Sequence, residues 1–320
     1  MSKAKSAGVA NRLLGVLTTL FGISVFIFIV LRVIPGDTIT SSLGIETGVL
    51  TPDQIADLKR YYGIDKPLIL QYFSWISSFL QGDLGFAYST GVSVLKLTAS
   101  ALPVTIELAL FGTISGVIMG IAIGMFSAKK PGSFRDFAGQ LFGLLALAIP
   151  GFVLSTAIVT IMANKFGYFP NGYEYMTPWE DLGMNLQQML FPSIVLGIAV
   201  AAPVMRTTRS ALLETVDKDF IRTAYGKGLK AKTVQYRHVL RNSLIPIVTM
   251  TGIQFGYLLG GAVIVEKIFA MPGMGRQILD AINKREYATV QSSVMIFAIL
   301  FVTINLITDL IYRRIDPRIK

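Results

Sequence analysis

The chain has 320 residues, of which 52% are hydrophobic and only 15% are charged, and its mean hydropathy is +0.60. A soluble protein carries roughly a quarter charged residues, so this composition excludes an ordinary soluble globular protein and favours a membrane protein. The net charge of +10 would also suit a nucleic-acid-binding protein, and the positions of the charges decide between the two classes. The chain has no cysteine, which excludes disulfides, thiolate metal sites and a cysteine nucleophile.

Six stretches are apolar enough to cross about 30 Å of hydrocarbon, which takes roughly 20 residues of helix. They predict transmembrane helices at 13–33, 104–127, 137–163, 189–205, 245–265 and 290–311. The fourth stretch contains Pro192 and Pro203, which a membrane helix tolerates when neighbouring groups satisfy the freed carbonyls. Lys3, Lys5 and Arg12 precede the first stretch as they would in a secretory signal. That stretch is long for a signal and has no small-residue cleavage site, so we expect an uncleaved helix.

Lysine and arginine indicate the orientation, because they concentrate in the cytoplasmic segments of membrane proteins. With the N-terminus inside, 19 of the 29 basic residues fall in four cytoplasmic segments, 1–12, 128–136, 206–243 and 312–320. Most of the acidic residues fall on the opposite side. Both termini are therefore expected in the cytoplasm, and the basic composition is explained without nucleic acid.

The predicted fold class is an all-α integral membrane protein: six transmembrane helices with an external domain, residues 34–103, between helices 1 and 2. Within that domain, Thr51 is expected to cap a short helix with Pro52 at its first position. Residues 68–80 combine apolar and polar positions at helical spacing, with aromatic residues that suit a membrane surface. The domain would be either a folded plug or a docking surface. Shorter external loops are expected at 164–188 and 266–289.

The cytoplasmic loop 206–243 predicts two short helices that meet at Gly228. The first begins near acidic residues and ends near Lys227, which complements the helix dipole, and Gly228 is suited to stop it. Thr233 is expected to cap the second helix. A compact basic projection of this kind suits contact with a soluble partner, and it equally suits a hairpin that lies on anionic lipid.

This loop resembles the EAA motif of permease subunits in bacterial ABC importers, with Arg222-Thr223-Ala224 at the triplet and Gly228 at the motif glycine. The triplet begins with arginine instead of glutamate, and 17 residues separate Gly228 from Pro246, more than in the general pattern. Both departures resemble the branch that imports dipeptides and oligopeptides. Other stretches resemble that branch as well: Arg32-Val33-Ile34-Pro35-Gly36-Asp37, Gln81-Gly82-Asp83-Leu84-Gly85, Glu266-Lys267-Ile268-Phe269, Met271-Pro272-Gly273-Met274-Gly275 and Arg285-Glu286-Tyr287.

The resemblance implies a type I importer permease in a bacterial or archaeal cytoplasmic (inner) membrane. Such a subunit pairs with a second, homologous permease subunit, binds two ABC ATPase subunits and membrane lipid, and receives substrate from an extracytoplasmic substrate-binding protein. The chain itself would be no enzyme and hold no cofactor, because ATP and Mg bind to the partner ATPases. In agreement, the sequence contains no G-x-x-x-x-G-K-[ST] phosphate loop. The implied substrates are oligopeptides or dipeptides, with oligosaccharides or nickel chelates as alternatives in the same family.

Two sets of candidate site residues follow. The motif and the charge of the loop select the ATPase-coupling candidates: Asp219, Arg222, Thr223, Ala224, Lys227, Gly228, Arg237 and Arg241. Their charged groups would bond acidic or carbonyl groups of the ATPase. Polar residues of the later spans are the candidates for the translocation path: Thr249, Gln254, Ser292, Thr303 and Asn305. Gly256, Gly260 and Gly261 are expected to allow helices to approach closely.

Ionisable residues suggest a different class of protein, an ion-coupled secondary carrier that would use Glu107, Glu266 or Asp309. Each of them lies close to the end of a span, where snorkelling or a local hydrogen bond also explains it. The single histidine, His238, lies among arginines in the cytoplasmic loop, and no metal site is expected. A carrier has no evident need for the external domain or the basic loop, so the importer is the favoured hypothesis.

Overall fold

The computed structural model describes the backbone of residues 2–33, 51, 53–54, 65–87, 89–167 and 174–315, and the side chains of these residues between 14 and 307. The helices are α1 (Ser2–Val33), α2 (Leu68–Leu80), α3 (Val94–Ala128), α4 (Phe134–Ala148), α5 (Gly151–Phe166), α6 (Leu182–Val216), α7 (Asp219–Gly226), α8 (Ala231–Thr233), a π-helix (Val234–Leu240), α9 (Arg241–Ile268), α10 (Met274–Asn283) and α11 (Tyr287–Ile315). A short antiparallel hairpin pairs β1 (Phe86–Ala87) with β2 (Val92–Ser93).

Five helices in the described part of the chain are long and apolar enough to cross a membrane, and the bent pair of α4 and α5 would make a sixth span. Hydrocarbon offers no hydrogen-bond partners to the backbone, whereas a helix satisfies its backbone N–H and C=O groups internally. The predicted fold class, an all-α membrane protein, is therefore confirmed, and the predicted number of six spans results when α4 and α5 are counted together as one broken span.

Several helices extend beyond the predicted spans. Helix α3 begins at Val94, where 104 was expected, so the last residues assigned to the external domain are helical. Helix α6 runs from Leu182 to Val216, well beyond 189–205, with both of its prolines inside it. Hydropathy detects only the apolar middle of a helix, and polar caps extend it: the Asp181 carboxylate accepts a hydrogen bond from the Met184 N–H at 3.0 Å.

The predicted third span, 137–163, is wrong as a single helix. Helix α4 ends at Ala148, α5 begins at Gly151, and the two helices are bent by 94°. Pro150 causes the break, because it has no N–H to donate and favours an extended conformation at the residue before it. Ile149 indeed has an extended backbone, with ψ of 115°. Counting apolar residues could not reveal this interruption.

The chain divides into two compact units, Met1–Pro103 with Arg276–Thr303, and Val104–Gly275 with Ile304–Lys320. In the first unit, α2 lies against α1 through a cluster of aromatic rings, with Phe28 edge-to-face on Tyr72 at 5.3 Å and stacked on Trp75 at 6.3 Å. The predicted helix 68–80 is thus present with the expected bounds. Thr51 and Gln54 exchange two hydrogen bonds, as a helix N-terminus requires, while Pro52 and residues 55–64 lie outside the described residues.

The second unit is built around α6, whose buried residues face α9, α4 and α5. Four glycines at every fourth position of α3 allow close approach to α6: Gly112, Gly116, Gly120 and Gly124. A Cβ added to Gly116 would lie 2.5 Å from the Val200 Cβ. The expectation that glycines of the fifth span serve this purpose is wrong for Gly260 and Gly261, because an added Cβ meets no described atom within 4 Å there.

Candidate functional site

Helix α7 carries the motif triplet and packs against its neighbours through one buried face. Ile221 and Ala224 are buried in a small hydrophobic core with Leu212 of α6 and with Val234 and Val239 of the π-helix. The other side chains of α7 are exposed, including Asp219, Arg222 and Thr223. Of the triplet, Ala224 therefore anchors the helix, whereas Arg222 and Thr223 are presented to a partner.

Gly228 ends α7 in the way that the sequence predicts. Its φ of +77° is left-handed, the conformation in which glycine has no steric penalty. The Leu229 N–H donates to the Ala224 carbonyl at 3.3 Å and the Gly228 N–H to the Tyr225 carbonyl at 2.9 Å, which is the Schellman pattern. An added Cβ would meet nothing within 4 Å, so the backbone conformation alone selects glycine.

The second helix of the loop differs from the prediction. Thr233 was expected to cap it, but Thr233 has helical dihedrals, makes no capping bond and lies inside a helix that begins at Ala231. The chain then continues as a π-helix directly into α9, without a loop between them. Arg237 on the π-helix and Arg241 at the start of α9 are both exposed.

A buried hydroxyl group ties this continuous helix to α6. The Ser243 Oγ lies 3.0 Å from the Thr215 Oγ1 and 3.1 Å from the Ala211 carbonyl oxygen. It also lies 3.0 Å from the Val239 carbonyl at the end of the π-helix. Together with the core around Ile221, these contacts hold the 219–241 segment to the ends of two candidate spans.

Exposed aromatic and aliphatic side chains surround the predicted charges, and sequence reasoning missed them. They are Phe220, Tyr225, Leu229 and Tyr236, with Tyr225 52% exposed. Arg222 lies 3.7 Å from Asp219, but both are largely exposed, so this pair contributes little on its own and leaves the guanidinium accessible. A surface of aromatic residues and arginine has the composition of protein-interface hot spots. Their helical positions relative to Arg222 could have predicted this surface.

A second missed feature is a buried ion pair next to this segment. Asp136, at the start of α4, accepts two 2.7 Å hydrogen bonds from Arg209 of α6. Ser127 at 2.8 Å, the Gly132 N–H at 2.9 Å and Gln140 at 3.0 Å also donate to its carboxylate. The ion pair fixes the 129–133 turn against α6 close to where α6 leads into the 219–241 segment.

The candidate path residues fall into different surroundings. Gln254 of α9 lines a cavity of about 380 Å³ together with Tyr257, with Pro150 and Gly151 at the α4–α5 break, and with residues of α6. Thr249, also on α9, is half-buried and donates to the Ile245 carbonyl at 2.9 Å. The cavity therefore brings together one predicted path residue and a helix break that the sequence analysis had not identified.

The remaining path candidates lie on α11. Ser292 is only 2% exposed and donates to the Leu84 carbonyl at 3.0 Å, so in this conformation it packs the first unit and lines no open path. Thr303 is exposed and donates to the Ile299 carbonyl at 2.8 Å, and Asn305 is half-buried.

The acids that suggested an ion-coupled carrier are held by local hydrogen bonds. The buried Glu266 accepts from the Thr105 hydroxyl at 2.7 Å, and that hydroxyl accepts from the Met274 N–H at 2.8 Å. Glu107 accepts from the Tyr175 hydroxyl at 2.6 Å; burial and then Glu107 raise the pKa of Tyr175, so that it remains a donor. The side chain of Asp309 lies outside the described residues. Among the described residues, no three histidine or acidic side chains are placed to hold a metal ion.

Two sequence models of one transporter family match most of the chain. The model described as "Binding-protein-dependent transport system inner membrane component" matches residues 120–320. The model of the N-terminal part of such membrane components matches residues 8–109.

Similar proteins of known role match over nearly their whole length. The glutathione transport system permease protein GsiC of Escherichia coli K12 is 34% identical over 313 residues, 98% of each chain. The dipeptide transport system permease protein DppB of Alkalihalophilus pseudofirmus is 34% identical over 333 residues, 97% of this chain and 98% of its own.

Solved structures share the fold. An amino acid ABC transporter with histidines aligns with a TM-score of 0.53 at 18% identity, over 68% of this chain and 94% of its own. The MetNI methionine ABC transporter in an inward-facing conformation aligns with a TM-score of 0.54 at 17% identity, over 69% and 96%. The chain therefore belongs to the binding-protein-dependent transport system inner membrane components, the multi-pass permease subunits of ABC transporters.

Proposed function

We propose that the chain is the permease subunit of an ATP-driven importer of dipeptides and other short peptides. The observation that carries the proposal is the exposed 219–241 segment, which is rigidly joined to two candidate spans and therefore suited to receive force from an ATPase. The relatives named for glutathione and dipeptide transport support peptides as the substrate class, ahead of oligosaccharides or nickel chelates. The hydrogen bonds of Glu107 and Glu266 give an ion-coupled carrier no specific support.

The proposed coupling mechanism depends on how α7 packs on α6 and connects to α9. Its buried face rests on α6, and the helix that follows Gly228 continues without a break into α9. When ATP closes two ATPases bound below, displacement of α7 would act on both spans at once and shift the balance between inward-open and outward-open packings. Asp219, Arg222, Thr223, Lys227, Arg237 and Arg241 would form the polar contacts, with Phe220, Tyr225 and Tyr236 as apolar anchors.

The substrate path would pass the break between α4 and α5. Non-helical backbone at membrane depth is tolerated where it lines a cavity, and broken helices often form substrate sites in transporters. The cavity beside Pro150 has this character, with Gln254 as a neutral polar group and Tyr257 as an aromatic one. The lining is neutral and mostly apolar, with one amide and two aromatic rings, which suits peptides of varied sequence. Thr249, Thr303 and Asn305 would belong to other parts of the path.

The assembly would contain a second, homologous permease, two ATPases that bind ATP and Mg, and an extracytoplasmic substrate-binding protein. Both termini and the 219–241 segment would lie in the cytoplasm, as the distribution of basic residues favours. Residues 34–93, 164–181 and the 269–286 region would then face the binding protein.

The direct test is reconstitution of the complete assembly in proteoliposomes, with uptake of a labelled dipeptide as the readout. We expect uptake that requires both ATP and the binding protein and that unlabelled dipeptides inhibit. Uptake that persists without the ATPases and follows a proton gradient would contradict the importer. Inhibition by an oligosaccharide or a nickel chelate, but not by dipeptides, would contradict the substrate class alone.

Paired variants test the two assigned regions. Arg222→Glu combined with Tyr225→Ala should abolish ATP-dependent uptake while insertion persists, whereas Lys129→Ala, an exposed basic residue on the neighbouring loop, should not. Full uptake by the double variant would refute the coupling role.

In the substrate path, Gln254→Leu should alter dipeptide uptake. Gln187→Leu, on the exposed side of α6, is its control. Equal uptake by both variants would remove Gln254 from the path.

A further inference from the structure

An apolar groove of about 480 Å³ runs along α1 and α2 in the first unit. It is lined by Phe21, Val25 and Ile29 of α1 and by Leu68, Ile69 and Phe73 of α2. Several of these side chains are largely exposed in the chain, such as Ile69 at 71% and Phe21 at 63%. The volume lies within the range of small-molecule sites. An apolar surface of this kind at the edge of a membrane helix requires an apolar occupant.

One positive charge stands at the end of the groove. Of the described residues that line it, Arg32 alone is charged. Its Nε donates to the Gln71 side-chain oxygen at 3.1 Å and its Nη1 to the Phe28 carbonyl at 3.3 Å, while its Cζ lies 3.4 Å from the centre of the Phe28 ring. Among the described residues, Nη2 has no hydrogen-bond partner. The guanidinium is thus held in place from one side and still has donors for an anionic group.

The length of the groove matches one leaflet of a bilayer. Arg32 stands at the end of the span Leu14–Val33, where hydrocarbon gives way to head groups. From Arg32 back to Phe21, α1 rises about 16 Å, because each residue of an α-helix contributes about 1.5 Å. Half of the hydrocarbon core measures about 15 Å. The charge and the apolar lining are therefore spaced as the phosphate and the acyl chain of a phospholipid are.

We infer that the α1–α2 groove binds one phospholipid, with an acyl chain against Ile29 and Phe73 and the phosphate on Arg32. The arginine supplies a charge-assisted hydrogen bond, so this lipid binds more tightly than the lipids that surround the protein without such a bond. The bound lipid would fill the space between the first span and the α2 helix and so join α2 to the membrane. This site is independent of the proposed substrate and of the ATPase contact.

The test is native mass spectrometry of the transporter purified in a mild detergent, with phospholipids counted as they are removed by increasing activation. The wild-type protein should retain one phospholipid after the others have dissociated. Arg32→Gln removes the charge and should lower retention about tenfold, as expected for loss of about 1.4 kcal/mol from a charge-assisted bond. Arg32→Lys should preserve most of the binding.

A second variant separates lipid binding from folding. Ile69→Trp adds bulk to the apolar lining of the groove at a residue that makes no hydrogen bond with Arg32, so it should also lower retention while the melting temperature stays unchanged. Arg135→Gln is the control, because Arg135 lies over the Phe126 ring at 5.3 Å and does not line the groove. Equal phospholipid retention in the wild type, Arg32→Gln and Ile69→Trp would overturn the inference. Displacement of the lipid by millimolar inorganic phosphate would show an anion site without acyl-chain recognition and would overturn it as well.

Discussion

Arg209 and Asp136, 73 residues apart in sequence, form a bidentate ion pair with two hydrogen bonds of 2.7 Å that joins α6 to the start of α4. The Asp136 side chain is only 2% exposed, whereas Arg209 retains 24%. Three further donors surround the carboxylate, so its charge is fully compensated inside the protein. The pair therefore fixes the beginning of α4 on α6.

Replacement of Asp136 by Asn should be strongly destabilising, because the Asn side chain offers one acceptor where Arg209 needs two. We expect a loss of about 1.5–3 kcal/mol in the free energy of unfolding, the range for hydrogen bonds to charged groups. Lys218→Ala is the control, since the Lys218–Glu214 pair at 3.3 Å is exposed on both sides. Unfolding in detergent by titration with a denaturing surfactant measures both variants. A loss for Asp136→Asn no larger than that of the control would contradict the assigned role.

The glycines of α3 provide a second prediction. Gly116→Ala places a Cβ 2.5 Å from Val200 Cβ and 2.7 Å from the Gly197 carbonyl oxygen, so α3 and α6 must separate. We expect a loss of about 1–3 kcal/mol, as for overpacking of a core. Gly22→Ala in α1 meets nothing within 4 Å and should be neutral or slightly stabilising because alanine favours helix. A thermal shift that is the same for both variants would show that α3 and α6 are not in close contact.

Substitutions at Gly228 test the effect of its left-handed backbone conformation alone, because the position has open space for a side chain. Gly228→Val has open space for its side chain but must adopt φ near +77°, at a cost of about 1–2 kcal/mol. Gly228→Asn should be much milder, since asparagine tolerates the left-handed region. We expect dipeptide-stimulated ATP hydrolysis by the assembly to fall up to about tenfold for valine and to remain near wild type for asparagine. Equal ATP hydrolysis by the two variants would show that coupling does not depend on the left-handed turn at Gly228.

Ala270 occupies a position that usually belongs to glycine. It follows the end of α9 with φ of +55°, and the Met271 N–H donates to the Glu266 carbonyl at 2.8 Å in a Schellman pattern. Ala270→Gly should therefore stabilise the protein by about 0.5–1 kcal/mol, because it removes the steric penalty of alanine. Ala122→Gly, at an exposed interior position of α3, should destabilise it by about 1 kcal/mol. Opposite signs of the two melting-temperature shifts are the expected result, and a lower melting temperature for Ala270→Gly would refute the argument.

The sequence predicted those features that depend on local composition. The apolar stretches identified the spans, because crossing hydrocarbon imposes the same length requirement on every helix. Gly228 was recognised as a helix stop, since the left-handed turn has a strong residue preference. The motif and the charge of the loop selected Arg222, Arg237 and Arg241, and all three are exposed. In each case, neighbouring residues within about one or two turns contained the information.

Features that depend on distant residues were missed. The ion pair of Asp136 was not predicted, because nothing near Asp136 in sequence indicates Arg209. Thr233 was a reasonable cap, but packing of Val234 and Val239 into the core around Ile221 extends the helix past it in both directions. Pro150 was hidden inside a long apolar stretch, although the restriction that it places on Ile149 could have signalled the break. The four-residue spacing of glycines in α3 was also missed, although it is visible in the sequence and could have indicated the close helix contact.

The π-helix at Val234–Leu240 determines which of its side chains face α7. A π turn winds one residue more than an α turn, so a return of this stretch to α winding would change the register between α7 and α9 by one residue. One residue of α-helix corresponds to a rotation of about 100° and an advance of about 1.5 Å. Val234 and Val239 are five residues apart, the spacing at which residues of a π-helix share a face, and both are buried in the core around Ile221. Rewinding to α geometry would turn one of the two valines away from that core, so the π winding fixes the orientation of α7 relative to α9.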